Sequence, residues 1–195
     1  MCSSSVAAYR QLLAERLDLA AVLHQPAAFS LQGEQAEGLA AFIEQPVYGE
    51  RNGEVFCMWV RNRVENGEKL AGAPKLSPQQ REAMDLLDEI VRRPQFMYSM
   101  RLEPGDLQIL SNHTVLHSRT KFEDAGEPEK KRLLYRLWLS TPDAPALPPS
   151  WAFYESIESG VVRGGAYGQH YTDICRRFDE QQAESMGMRI GGGVR

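Results

Sequence analysis

Between Asp106 and Arg136 the chain gathers side chains that could hold ions or carry protons. The run Asn112-His113-Thr114-Val115-Leu116-His117-Ser118-Arg119 places two histidines four positions apart. On a helix that spacing would put both rings on one face, as zinc hydrolases require. No glutamate follows His113, however, and the segments upstream alternate like strands. On an extended chain, positions four apart share a face but lie too far apart to share a metal easily. Spacing alone therefore reads as one buried, hydrogen-bonded histidine and one surface histidine. Arg132 and Arg136 form the second pair, and their even separation points both guanidinium groups to one side of a strand. An arginine on a buried strand needs an anionic partner, because an unpaired buried charge is very costly. Two partners remain open: an internal carboxylate from Asp106, Glu123 or Asp124, or the carboxylate of a ligand gripped by arginine's forked donors.

These residues must be positioned by the elements around them. Val6, Tyr9, Leu13, Leu17 and Ala20 recur at helical spacing behind Ser5, a plausible N-cap, and Pro26 closes the pattern. Gln32 to Gly38 reads as loop. Strand-like runs at 46–48 and 55–60 flank Asn52-Gly53, a hairpin signal, and 62–74 reads as a polar loop. Ser77-Pro78-Gln79-Gln80 announces a second helix with cap, proline and capping box in order. Its buried stripe is Ala83, Met84, Leu87, Ile90 and Val91, and Pro94 stops it. The period then approaches two: strands at 96–102 and 107–110 flank the turn Glu103-Pro104-Gly105-Asp106, and 133–139 is apolar enough to lie inside a sheet. Pro142, Pro145, Pro148 and Pro149 make a stiff connection to a mixed tail ending in a loose glycine run, Gly191-Gly192-Gly193. Trp59, Trp138 and Trp151 read as core, and Cys57 as a buried thiol. The glycine-rich 160–168 lacks the strand-to-helix setting of a phosphate loop. The pattern is mainly β with flanking helices, without the alternation that signals a parallel sheet.

Composition excludes several functions. The chain has 195 residues, 43% hydrophobic and 25% charged, with a net charge of −4, which argues against nucleic acid or an anionic membrane as partner. No apolar run approaches the roughly 18 residues of a membrane span. The start, Met1-Cys2-Ser3-Ser4-Ser5, shows no basic segment followed by an apolar one, so no leader is read there. Cys2, Cys57 and Cys175 fit neither a disulfide framework nor a C-x-x-C site. The expectation is a cytoplasmic protein.

The runs Leu102-Glu103-Pro104-Gly105-Asp106, Asn112 to Thr120, Phe122-Glu123-Asp124 and Lys131-Arg132-Leu133-Leu134-Tyr135-Arg136-Leu137-Trp138-Leu139 together resemble the C-terminal half of the taurine dioxygenase (TauD/TfdA-like) family. The resemblance reaches back, less sharply, through Leu76-Ser77-Pro78 to Ser3-Ser4-Ser5-Val6-Ala7-Ala8-Tyr9, and so covers most of residues 1–140. It implies an Fe(II)- and 2-oxoglutarate-dependent oxygenase on a double-stranded β-helix, or jelly roll. Such an enzyme hydroxylates a small organic substrate while converting 2-oxoglutarate to succinate and CO2. His117 matches the distal histidine of the iron triad, in which two histidines and a carboxylate leave three adjacent positions free. Arg132 matches the arginine that grips the far carboxylate of 2-oxoglutarate. Arg136 matches one that in some members reaches an acidic group on the substrate, and His113 matches a structural position.

One part of the family pattern is absent. The other two iron ligands come from a His-x-Asp/Glu motif upstream, and no such motif occurs among these 195 residues. His24 has no acidic residue two positions on, and His170-Tyr171-Thr172-Asp173 has the wrong spacing. The expectation is therefore a partial jelly roll lacking its N-terminal strands, with Met1 an internal methionine, inactive alone. Residues 1–140 would form the partial family domain and 141–195 a proline-rich connection and extension. The alternative is a non-catalytic jelly-roll binding or interaction protein that retains the cosubstrate pocket. In either case open sheet edges invite cover, including by a homo-oligomer.

Overall fold

The computed structural model describes residues 1–121, 126–127, 131, 133–154, 156–163 and 171–191. The chain opens with β1 (Cys2–Ser4) and turns at once into α1 (Ser5–Glu15). The cap is Ser4, one residue before the serine expected: its hydroxyl accepts from the Ala7 N–H at 3.2 Å. The helical stripe is also broken. Arg16 leaves helical geometry (φ −148°), and the chain restarts as α2 (Leu17–Val22). Arg16's guanidinium is held there by Asp18 and Glu82, at 2.6 and 2.7 Å.

β2 (Ala27–Ser30), buried at every position, pairs antiparallel with β3 (Phe42–Gln45). β4 (Tyr48–Arg51) and β5 (Glu54–Cys57) form the hairpin signalled by Asn52-Gly53, whose φ values of 54° and 80° are the left-handed pair that a tight turn requires. The stretch read as a polar loop from 62 begins instead with a helix, α3 (Arg61–Gly67). Arg61 braces it against Glu65, Asp85 and Asp88. Gly67 marks a close approach rather than a turn: a Cβ there would lie 2.1 Å from the Ala28 carbonyl oxygen, so the helix rests directly on β2 backbone.

α4 (Pro78–Arg92) has its whole N-terminal signature, with Ser77 Oγ accepting from Gln80 N–H and Gln80 Oε1 from Ser77 N–H. Ala83, Met84, Leu87 and Ile90 are buried, and Val91 packs partly against them. β6 (Met97–Tyr98) and β7 (Val115–His117) flank β1 in a three-stranded antiparallel sheet of order β6-β1-β7. Only two residues of the expected 96–102 strand are strand, and neither 107–110 nor 133–139 is. The reason is pairing. A strand exists through its neighbour, and among the described residues no backbone hydrogen bond joins either run to another strand.

Beside a small second cluster of Val162, Ala183 and Met188, the main core cluster draws on α1 to α4 and β2 to β5. The segment after the prolines belongs to it: Leu147, Trp151, Phe153 and Tyr154 are all buried. Gln45, fully buried, fastens that segment. Its Oε1 accepts from the N–H groups of Ala152 (3.3 Å) and Phe153 (3.1 Å), while Nε2 meets Met58 Sδ at 3.0 Å. Near the C-terminus, β8 (Val161–Val162) and β9 (Arg189–Ile190) pair in parallel around α5 (Asp173–Met186), a β-α-β unit that the sequence pattern did not announce. Gly187 ends α5 at φ 62°. Gly164 to Gly168 and Gly192-Gly193 lie outside the described residues.

The result is mixed. Among the described residues, helices hold more of the chain than strands do, so "mainly β" is corrected to a helix-and-strand fold with small sheets. These sheets are one of three strands and three of two, and they do not close into a double-stranded β-helix. No described helix is long and apolar enough to cross a membrane.

Candidate functional site

His117 sits at the end of β7, directly opposite Cys2, which in turn stands opposite Tyr98. Alternation sends these three to one face of the sheet and Ser3, Leu116 and Met97 to the other. Leu116 packs on the core and Ser3 is buried, whereas Tyr98 is 65% exposed, so His117 lies on the open side. Its imidazole is held below the usual histidine range, first by partial burial, then by the Arg136 guanidinium and the terminal ammonium. A backbone hydrogen bond at Val115 works the other way. At neutral pH the ring is therefore uncharged, the form that binds metal.

His113 turns the opposite way. Its carbonyl accepts from Cys57 N–H at 2.8 Å, and its ring Nε2 lies 3.0 Å from the Tyr154 hydroxyl. The Tyr154 ring meets it edge-on at 5.3 Å and Trp151 lies 5.4 Å away. Burial, with Arg163 adding to it, pushes His113 down to about 4. A neutral Nε2 accepts, so Tyr154 donates to it while Asn112 Nδ2 donates to the Tyr154 oxygen at 3.4 Å. This histidine is a packing post.

Arg136 is exposed, contrary to the buried strand expected for it, yet near enough to His117 to bias its protonation. Among the described residues no carboxylate pairs with it. Asp106 is committed elsewhere, its Oδ2 accepting from Glu103 N–H at 2.8 Å inside the turn. Arg132, Glu123, Asp124 and His170 lie outside the described residues. Trp138, read as core, is 50% exposed and only leans on Phe153 and Tyr154, with ring centres 6.3 and 6.5 Å away. Trp151 is core, at 3% exposure. Cys57 is fully enclosed, burial pushing its thiol up to about 12, which leaves it inert at neutral pH.

Tyr154 and Arg163, which with Trp151 surround His113, escaped the sequence reading. Arg163 is buried and donates to the Pro145 carbonyl. The aromatic trio Trp151, Phe153 and Tyr154 just after Pro148-Pro149 was the one signal that could have pointed to that segment's burial.

A complete iron site is a different matter. Among the described residues no three of histidine, cysteine, aspartate and glutamate gather around one point. His117 alone does not fit a three-ligand iron centre.

Comparison with known proteins places these residues. The model of the taurine catabolism dioxygenase TauD, TfdA family matches residues 1–138, from β1 through the arginine-bearing run. FR-33289 synthase of Streptomyces rubellomurinus (strain ATCC 31215) is 30% identical over 151 residues, which is 76% of this chain and 44% of that protein. The chain thus spans less than half the length of this curated relative. With a match over well more than half its length, this chain belongs to the TauD/TfdA dioxygenase family.

Proposed function

We propose that this chain is the cosubstrate-binding, C-terminal part of an Fe(II)/2-oxoglutarate-dependent dioxygenase that hydroxylates a small organic substrate, and that it is inactive alone. The observation that carries this reading is the family match over residues 1–138, which takes in His117, Arg132 and Arg136, with Arg136 acting electrostatically on His117 at the open face of β7. In a completed site iron would supply the oxidative chemistry. The chain's own residues do the rest: His117 offers a nitrogen lone pair, and Arg132 and Arg136 present forked donors to carboxylate oxygens. Arg136 and Trp138, two positions apart on the extended run, fall on one side of it, so indole and guanidinium groups would bracket the acid. The described residues form parts of a jelly roll in this reading, and the remaining strands and the His-x-Asp/Glu motif come from residues beyond these 195.

Titration calorimetry with 2-oxoglutarate tests the assignment. Saturable binding is expected, weakened at least about tenfold by Arg132→Ala, as the loss of a charge-assisted carboxylate grip implies. Succinate should not accumulate when Fe(II) is added to the chain alone. Binding indifferent to Arg132→Ala and Arg136→Ala, or succinate formed by the chain alone, overturns it; in a version completed by the upstream motif, turnover that survives His117→Ala does so too. A non-catalytic binding role shares the arginines and is favoured by the lack of a three-ligand cluster among the described residues. The codons immediately upstream of Met1 separate the two readings: an in-frame His-x-Asp/Glu run supports the dioxygenase, and its absence with retained 2-oxoglutarate binding supports the binding protein.

A further inference from the structure

On an unbroken strand His113 and His117 would share a face. A turn parts them: the Ser111 carbonyl accepts from the N–H groups of Thr114 (3.2 Å) and Val115 (3.0 Å) as β7 begins. His113 goes inward to Tyr154, while His117 keeps the open face. Tyr154 is buried and has two sets of neighbours. Its hydroxyl donates to His113 Nε2 at 3.0 Å and accepts from Asn112 Nδ2 at 3.4 Å. Its ring meets Trp138 with centres 6.5 Å apart, within the range that aromatic pairs prefer. Phe153 shares that contact with Trp138 at 6.3 Å and stands on a fixed base. Gln45 accepts from its N–H, and Arg63 lies over its ring with Cζ 5.5 Å from the centre. Two residues past Trp138 the chain is fastened again. Ser140 Oγ accepts from Arg163 N–H at 3.2 Å, and the Ser140 carbonyl from Gln182 Nε2 at 2.8 Å. The anchors Phe153, Tyr154, Arg163 and Gln182 all lie beyond residue 138, where the family match ends.

We infer that Tyr154 is a positioning residue of the cosubstrate site, tying the run that carries Arg136 to the turn that leads into His117. What the site binds rests on the dioxygenase reading given above. The mechanics are local. The turn and β7 form the reference, because His113 carbonyl accepts from Cys57 N–H at 2.8 Å and Thr114 carbonyl from Ser5 N–H at 2.9 Å. The arginine run is the part that needs placing, since among the described residues no backbone hydrogen bond joins it to another strand. Arg136 and Trp138 leave the run on one side, so seating the indole against Tyr154 sets where the guanidinium stands. Arg136 does act on the His117 imidazole, as a site shared by the two requires. A carboxylate held by forked donors is sensitive to their placement, and small displacements weaken the grip steeply. The segment beyond the family match therefore shapes the site as well as closing the core.

Histidine-ring NMR on the full chain without ligand tests this. Arg136→Ala should shift the His117 ring signals in the otherwise unaltered chain. Tyr154→Phe and Trp138→Leu each break one end of the tie, and each should reduce that shift by roughly half or more, as coupled neighbours do. Trp138→Phe keeps a ring against Tyr154 and should restore it. Arg51→Ala loosens the same segment away from Tyr154, removing a 2.9 Å bond to the Leu147 carbonyl and an ion pair with Glu158, and should leave the shift unchanged. Circular dichroism checks that every variant keeps its fold. Calorimetry should then show Tyr154→Phe, whose side chain does not touch the acid, weakening 2-oxoglutarate binding at least about threefold. A shift that ignores either Tyr154→Phe or Trp138→Leu overturns the inference. So does the absence of any shift on Arg136→Ala, an equal loss in Arg51→Ala, or 2-oxoglutarate binding unchanged in Tyr154→Phe. Failure of the unaltered chain to bind 2-oxoglutarate overturns the dioxygenase reading alone, because the ring signals are read without ligand.

Discussion

At the residue scale, two histidines four positions apart have been given opposite tasks by the strand ends that hold them. His113 is the more quantitative case. Its folded pKa of about 4 lies below the 6.5 of the unfolded chain, so between these values the unfolded state binds more protons. Stability therefore falls as pH drops from about 6.5 towards 4 and levels off below, by up to about 3 kcal/mol for this one group. Urea unfolding at pH 7, 5 and 4 should show this loss, and His113→Asn should flatten it. His24 and His117, also held low by burial, add smaller contributions of the same sign. The contrast between a buried and a surface histidine was readable from spacing on an extended chain. The partner was not: Tyr154 is 41 positions away, and no local pattern encodes a contact made by folding back across the core.

At the scale of elements, legibility followed locality. Helix α4 was readable to its cap because serine, proline and glutamine act on their own backbone within one turn. Ser77→Ala removes one of the two reciprocal bonds and should cost about 1 kcal/mol, measured as a lowered urea midpoint at constant slope. Helix α3 hid behind Asn66-Gly67, which signals a turn locally but here serves the packing of a helix on β2. The runs 107–110 and 133–139 show the opposite failure. Both runs are extended but largely exposed, with Leu107 and Ile109 at 83% and 82%, because strandness is a property of a pair and cannot be written into one segment.

For the whole molecule, the governing fact is that the segment from 147 to 154, far along the chain, completes a core begun by the first helices and hairpins. Trp151 is its anchor, meeting Phe56 edge-on with ring centres 6.3 Å apart and lying beside His113, with Gly49 leaving room for Pro148. Trp151→Ala should cost about 3–5 kcal/mol in chemical denaturation, the usual range for emptying a buried aromatic site. Family membership was legible in the order of motifs, which the family match over residues 1–138 takes in. The closure of the core was not, because no motif marks its last segment. The buried Gln45 gives that closure a clock. The amides of Ala152 and Phe153 are spoken for by one enclosed oxygen more than a hundred positions upstream. They can trade hydrogen for deuterium only when the strap lifts away from β3. Their exchange rates would time an opening distinct from the fraying of helix ends, and slow, matched protection at both would mean that the far end of the chain is sealed by the same cooperative event as its beginning.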